Sequence, residues 1–227
     1  MTTAESIIKF YRSLKAPPGI PKDVEVLHPQ ASGQVMEVVE AFYKKYYSDN
    51  NPRQLLFGIN PGRFGAGTTG VNFTGPKQLT EFCGIPHPFG QRSELSAEFI
   101  YEMIIAYGGP EKFYGRFFIT SVSPLGFVKN GINLNYYDDP ALAASLRSWI
   151  VDMIKKQLSF CGHHEACICI GGEKNFKYFT GINKESAFFK NILPLPHPRF
   201  IMQYRRKHIA KYVEEYLVAL TQLEKGE

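Results

Sequence analysis

Apolar side chains in the first fifty positions return at helical spacing. Ile7, Ile8, Phe10, Tyr11 and Leu14 share one face, and Val35, Met36, Val39, Phe42 and Tyr43 share another, which predicts two amphipathic helices ahead of everything else. Four later runs are apolar at nearly every position: 55–59, 117–121, 167–170 and 191–195. That is the pattern of strands covered on both faces. Longer stretches with helical periodicity separate them, 94–107, 141–160 and 173–179, and a further one, 205–220, closes the chain. Strands alternating with helices are joined by right-handed crossovers. The pattern therefore predicts an α/β protein, a three-layer α/β/α sandwich with a central four-stranded parallel sheet. Ligands of such sheets bind beyond the carboxyl ends of the strands, so the loops there are the places to look for chemistry.

The chain has 227 residues, against about 150 for a typical domain, and no repeat or long linker. It reads as a single domain, 1–227, with the helices of 1–50 packed on it. An apolar fraction of 44 % with 14 % aromatics excludes a disordered chain. Twenty-six basic against 21 acidic side chains give +5, which favours a polyanionic partner if the excess is clustered. Glu5, Lys9, Arg12 and Lys15 interrupt the start, so no signal-peptide core is expected. The apolar runs are far shorter than the ~20 residues that span a bilayer. Cys83, Cys161, Cys167 and Cys169 are too unevenly spaced for a disulfide framework. The expectation is a cytoplasmic protein with no membrane partner, nucleoid-associated if the cell is bacterial.

Two loops stand out. From Gly58 to Phe73 there are five glycines in 16 residues, so backbone there must approach a neighbour closely. The loop lacks the Gly-Lys-Ser/Thr ending of a P-loop and the spacing of a dinucleotide fingerprint, and a plain surface turn is the alternative reading. Within it, Pro61 restrains Asn60 to an extended backbone and lets its amide project from the strand end, a good way to hold one water. After the last strand run, Leu195-Pro196-His197-Pro198-Arg199 brackets a histidine with prolines, which fixes the backbone and removes competing donors. The other histidines read as structural. Arg199, Arg205, Arg206, Lys207 and Lys211 follow, either as a solvated helix face or as a phosphate-binding patch.

Three stretches resemble the uracil-DNA glycosylase superfamily, most closely its single-strand-selective monofunctional (SMUG-type) branch. Gly58-Ile59-Asn60-Pro61-Gly62-Arg63-Phe64-Gly65, running on to Thr69-Gly70-Val71-Asn72-Phe73, is similar to the first catalytic motif. The stretch from Arg116 to Leu125 is similar to the central strand with its Pro-Leu exit, and Asn133-Leu134 to a later Asn-Leu. Leu195-Pro196-His197-Pro198 is similar to the start of the second catalytic motif, and Gly171-Gly172 to the small-residue turn before it.

The resemblance implies a monofunctional DNA glycosylase of base-excision repair. It would hydrolyse the N-glycosidic bond of uracil, or of a related deaminated or damaged base, without metal or other cofactor. Its substrate would be single- or double-stranded DNA with the base flipped out, and it would act as a monomer. Asn60 would position the attacking water and His197 would hydrogen-bond O2 of the leaving uracil. Ile59, Gly62, Phe64, Phe73 and Ser121 would bind the base, Phe73 by stacking. Pro198, Arg199, Phe200, Arg205, Arg206 and Lys207 would contact DNA. Cleavage of this bond leaves an oxocarbenium-like sugar and a pyrimidine anion, so a placed water and a donor at the developing negative oxygen are what the chemistry needs. Neither loop holds a lysine that could attack the sugar, hence no strand cleavage is expected.

The chain departs from the family in three places. His197-Pro198-Arg199-Phe200 replaces His-Pro-Ser-Pro, which moves the expected DNA wedge to Arg199, Phe200, Ile201 or Met202. Ser121 stands where the SMUG-type strand presents an Asn, and a hydroxyl cannot copy a carboxamide's bidentate contact. The first fifty residues have no expected family counterpart. Two other readings are a non-catalytic DNA-damage binder on the same fold and a hydrolase of small N-glycosides. A zinc site drawn from Cys161, His163, His164, Glu165 and Cys167 has no standard spacing, and no bound metal is expected.

Overall fold

The structure, a computed structural model, describes residues 1–160 and 162–226, with backbone alone for 162–164. In chain order its elements begin with α1 (Thr3–Arg12), β1 (Glu25–Leu27), α2 (Gly33–Tyr46), β2 (Arg53–Gly58), α3 (Ala66–Thr69), α4 (Pro76–Glu81), α5 (Leu95–Tyr107) and α6 (Pro110–Tyr114). They continue with β3 (Phe117–Ser121), β4 (Gly126–Lys129), β5 (Ile132–Leu134), α7 (Pro140–Leu158), β6 (Gly162–Ile170), α8 (Gly172–Ser186), β7 (Asn191–Leu195), α9 (Pro198–Tyr204) and α10 (Ile209–Lys225).

The four apolar runs form one parallel sheet in the order β3-β2-β6-β7, flanked by helices. Leu55, Leu56 and Phe57 in β2, like Cys167 to Ile170 in β6, have no exposed surface, which is why these strands show no alternation in sequence. The cysteines are small core residues there. Register carries one consequence for function. Phe57 pairs with Cys169, and Cys169 with Pro194, so the three strands run level. Asn60 and His197 each lie three positions beyond that line.

The leading helices form as expected. α1 opens with a capping box, Thr2 accepting from the Glu5 amide while the Glu5 carboxylate accepts from the Thr2 amide. Its apolar face, Ile7, Ile8, Phe10 and Tyr11, is buried, and α1 packs on α2.

A second, antiparallel sheet, β1-β4-β5, was not expected. Its strands hold only three or four residues each, too few for a period to show. β4 and β5 form a hairpin that turns through Asn130 and Gly131 at φ 51° and 71°, the left-handed pair that a tight hairpin needs. The hairpin brings residues 133–136 over the end of β2.

The closing helix is also corrected. The stretch 205–220 does not form one helix from Arg205. Instead α9 ends at Tyr204, a single 3₁₀ turn covers Arg206–His208, and α10 runs from Ile209 to Lys225. Pro198 sits at the first position of α9, where its missing N–H costs nothing. Among the described residues no helix is long and apolar enough to cross a membrane. No group of three metal-ligating side chains occurs among them either; Cys161, His163 and His164 fall outside the described side chains.

Candidate active site

A cavity of about 440 Å³ opens at the carboxyl edge of the parallel sheet. It brings together Ile59, Asn60, Gly62, Phe64 and Phe73 from the first loop, Ser121 from the end of β3, and His197, Arg199 and Phe200 from the second. The two loops that sequence singled out therefore share one site.

Asn60 is oriented by backbone on both ends. Its Nδ2 donates to the Leu134 carbonyl at 3.3 Å and its Oδ1 accepts from the Tyr136 amide at 3.0 Å. A carbonyl only accepts and an amide only donates, so the carboxamide cannot be turned around. Close packing holds this loop in place: a Cβ on Gly126 would lie 2.3 Å from the Pro61 carbonyl.

Phe73 lies at φ 52°, a left-handed backbone rarely taken by an aromatic residue. Thr69 maintains it, its hydroxyl donating to the Thr74 carbonyl at 2.6 Å and accepting the Val71 amide at 3.2 Å. The ring lies over Gly58, where a Cβ would meet Cε2 and Cζ at 2.6 and 2.8 Å. Gly58→Ala should therefore displace the ring into the cavity and slow the reaction by roughly 10²-fold, the effect of a ~1 Å misplacement. Single-turnover kinetics check this.

His197 is the N-cap of α9. Its Nδ1 accepts the Arg199 amide at 3.1 Å, and a nitrogen that accepts carries no proton. The neutral ring thus keeps its proton on Nε2, away from the helix, as a donor for the cavity. Burial against the cavity walls, with Arg199 adding a like charge, pushes the imidazole pKa down to about 4. Tyr216 of α10 secures this loop by donating to the Pro196 carbonyl at 2.5 Å.

Around the mouth, Phe64 and Phe200 are 42 % exposed. Arg63 lies over the Phe64 ring and Arg205 over Phe200, at 5.1 and 5.4 Å. Arg199, Arg205, Arg206 and Lys207 are exposed, none with an acidic partner among the described residues. Of these only Arg199 lines the cavity; the others stand outside it, on the turn between α9 and α10.

The expected wedge needs correcting. Residues 199–202 belong to a helix, not a loop, and α9 packs on α5 with Ile201 and Met202 buried. Of the four, only Arg199 and Phe200 are exposed. Pro198 is buried as well, at the first position of the helix.

Sequence reasoning passed over Asn72, Asn133, Gln203 and Tyr204, all cavity residues. The first two stood inside quoted motifs, while the last two were hidden by placing the helix start at Arg205. Glu94 also reaches the cavity, its carboxylate committed to capping α5 through the Ala97 amide at 2.9 Å.

The sequence matches the Uracil DNA glycosylase superfamily over residues 44–221, a span that contains every cavity residue, and the chain belongs to that superfamily. Among solved structures it is similar to a crystal structure of wild-type Pedobacter heparinus SMUG2, with a TM-score of 0.95 and 43 % identity over 99 % of each chain. The first fifty residues thus do have a counterpart in a relative, contrary to expectation. No curated protein matches the chain.

Proposed function

We propose that this protein is a monofunctional uracil-type DNA glycosylase of base-excision repair that takes a flipped base into the cavity and hydrolyses its bond to deoxyribose. The observation that carries this reading is the pairing of a directed Asn60 carboxamide with a neutral His197 whose proton is on Nε2. In the reaction the C1′–N bond breaks and its electron pair leaves with the base. The negative charge that gathers on the base oxygen meets the Nε2–H of His197. Water held by Asn60 adds to C1′ and gives up a proton to solvent. A carboxamide takes no proton at neutral pH, so Asn60 positions the water without acting as a base, which suits a transition state whose bond to the leaving group is already broken. Phe73 stacks on the base, with Ile59 and Gly62 walling its site.

The exposed cations beside the mouth favour a polymer of phosphates over a free nucleoside. If four phosphates are contacted, a fourfold rise in salt should weaken binding on the order of 10²-fold, which titration at several salt concentrations measures. A flat profile removes the DNA reading.

Activity is tested with single- and double-stranded oligonucleotides carrying uracil, hypoxanthine or xanthine. The expected result is loss of the base, strand scission only after alkali, and action as a monomer. A protein that binds these oligonucleotides and releases no base is a damage binder instead.

A further inference from the structure

We infer that Asn72, rather than Ser121, reads the edge of the base, with its carboxamide held between the Ser121 hydroxyl and the Tyr11 hydroxyl of α1; this rests on the glycosylase reading above. Asn72 lines the cavity and is 5 % exposed. Its Oδ1 accepts from Ser121 Oγ at 2.6 Å, and its Nδ2 donates to the Tyr11 hydroxyl at 3.1 Å. Both partners are hydroxyls, which can donate or accept. Turning the amide end for end would require both hydroxyls to exchange roles together.

The end of β3 that carries Ser121 is tied to α7. Gln157 of α7, fully buried, donates its Nε2–H to the Ser121 carbonyl at 3.3 Å. Its Oε1 is thereby the accepting end, and it accepts a hydrogen bond from the Thr120 hydroxyl. The Nδ2 end of Asn72 is held at Tyr11 and the Oδ1 end at Ser121. One Nδ2–H and one Oδ1 lone pair remain without a partner among the described residues.

The glycosidic bond dictates how a bound base faces this amide. Uracil, hypoxanthine and xanthine present a carbonyl beside a ring N–H. Cytosine and adenine present an amino group beside a bare ring nitrogen, the same pair in reverse order. A carboxamide held one way matches one pattern and opposes the other, so uracil and hypoxanthine are accepted while cytosine and adenine are refused. Asn72 is then the specificity-determining residue. Tyr11, which lies outside the span matched to the superfamily, is its positioning residue.

Single-turnover excision from oligonucleotides carrying uracil, hypoxanthine or cytosine at one position tests this. Asn72→Ala should lower the rate on the first two by roughly 10- to 100-fold, the worth of one bidentate contact. Tyr11→Phe keeps the ring and frees the amide to turn, and should raise cytosine release relative to uracil by roughly tenfold or more. Tyr114→Phe, at a buried tyrosine whose hydroxyl is bonded to Tyr101 and not to Asn72, should leave that ratio alone, so a shift shared by both variants would mean general loosening and would overturn the assignment. Native rates in Asn72→Ala, or a native ratio in Tyr11→Phe, overturn it too. A native protein that removes no base defeats the glycosylase reading itself, an outcome distinct from these.

Discussion

Replacing His197 with alanine should slow base release by about 10²- to 10³-fold, the usual cost of deleting one donor to a developing oxyanion, or roughly 3–4 kcal/mol. The ring has two duties that can be separated. Nδ1 caps α9 through the Arg199 amide, and Nε2–H serves the leaving base. His197→Asn restores a capping acceptor and not the reach, so it should match alanine in rate while recovering most of the ~1 kcal/mol that loss of a cap costs. Thermal melts beside single-turnover rates distinguish the two duties. The lowered pKa adds a sign to check. Held near 4 by burial and by Arg199, the imidazole is neutral across the working range, so the rate should show no inflection at the ordinary histidine value of 6.5. A folded-state pKa below the unfolded one means stability from this group is complete above 6.5 and declines as pH falls toward about 4. A rate profile breaking near 6.5 in native protein and not in His197→Asn would contradict the neutral-donor role.

Asn60→Ala should cost about 10²-fold or more, because a water left without its carboxamide loses the near-attack placement that such sites supply. The Tyr136 amide and Leu134 carbonyl would lose their partner as well, and the stretch 133–136 should loosen. Asn60→Asp is the sharper probe of direction: its carboxylate still accepts from Tyr136 but faces the Leu134 carbonyl with no proton to offer. It should therefore remain well below native at neutral pH and recover in part as acid protonates it, which a pH series of excision rates will show. Equal activity of native and Asn60→Ala protein would remove the water-positioning role.

Much of this was legible in the chain because buried parallel strands write themselves as unbroken apolar runs, and because Asn60-Pro61 and Pro196-His197-Pro198 impose local geometry on residues at strand ends. What stayed hidden was hidden for physical reasons. The β1-β4-β5 sheet has strands of three or four residues, shorter than two periods of any pattern. α9 begins at a proline and places apolar Ile201 and Met202 among polar neighbours, so it resembled a loop that could enter DNA. Tyr11 and Ser121, which hold Asn72, lie far from it along the chain, and no spacing rule connects the three. Ser121 looked like a lost contact because its partner could be seen only in three dimensions.

The level register of β2, β6 and β7 makes the sheet a ruler. Asn60 and His197 follow strands that run level with a single strand between them, so the strands that carry them stand two inter-strand steps or about 10 Å apart. That gap suits a sugar and its base laid side by side, and it is held by main-chain ladders that no single side-chain replacement can lengthen. Variants of this protein should find new bases to remove by reshaping the walls, while the span between the two ends of the reaction stays the same.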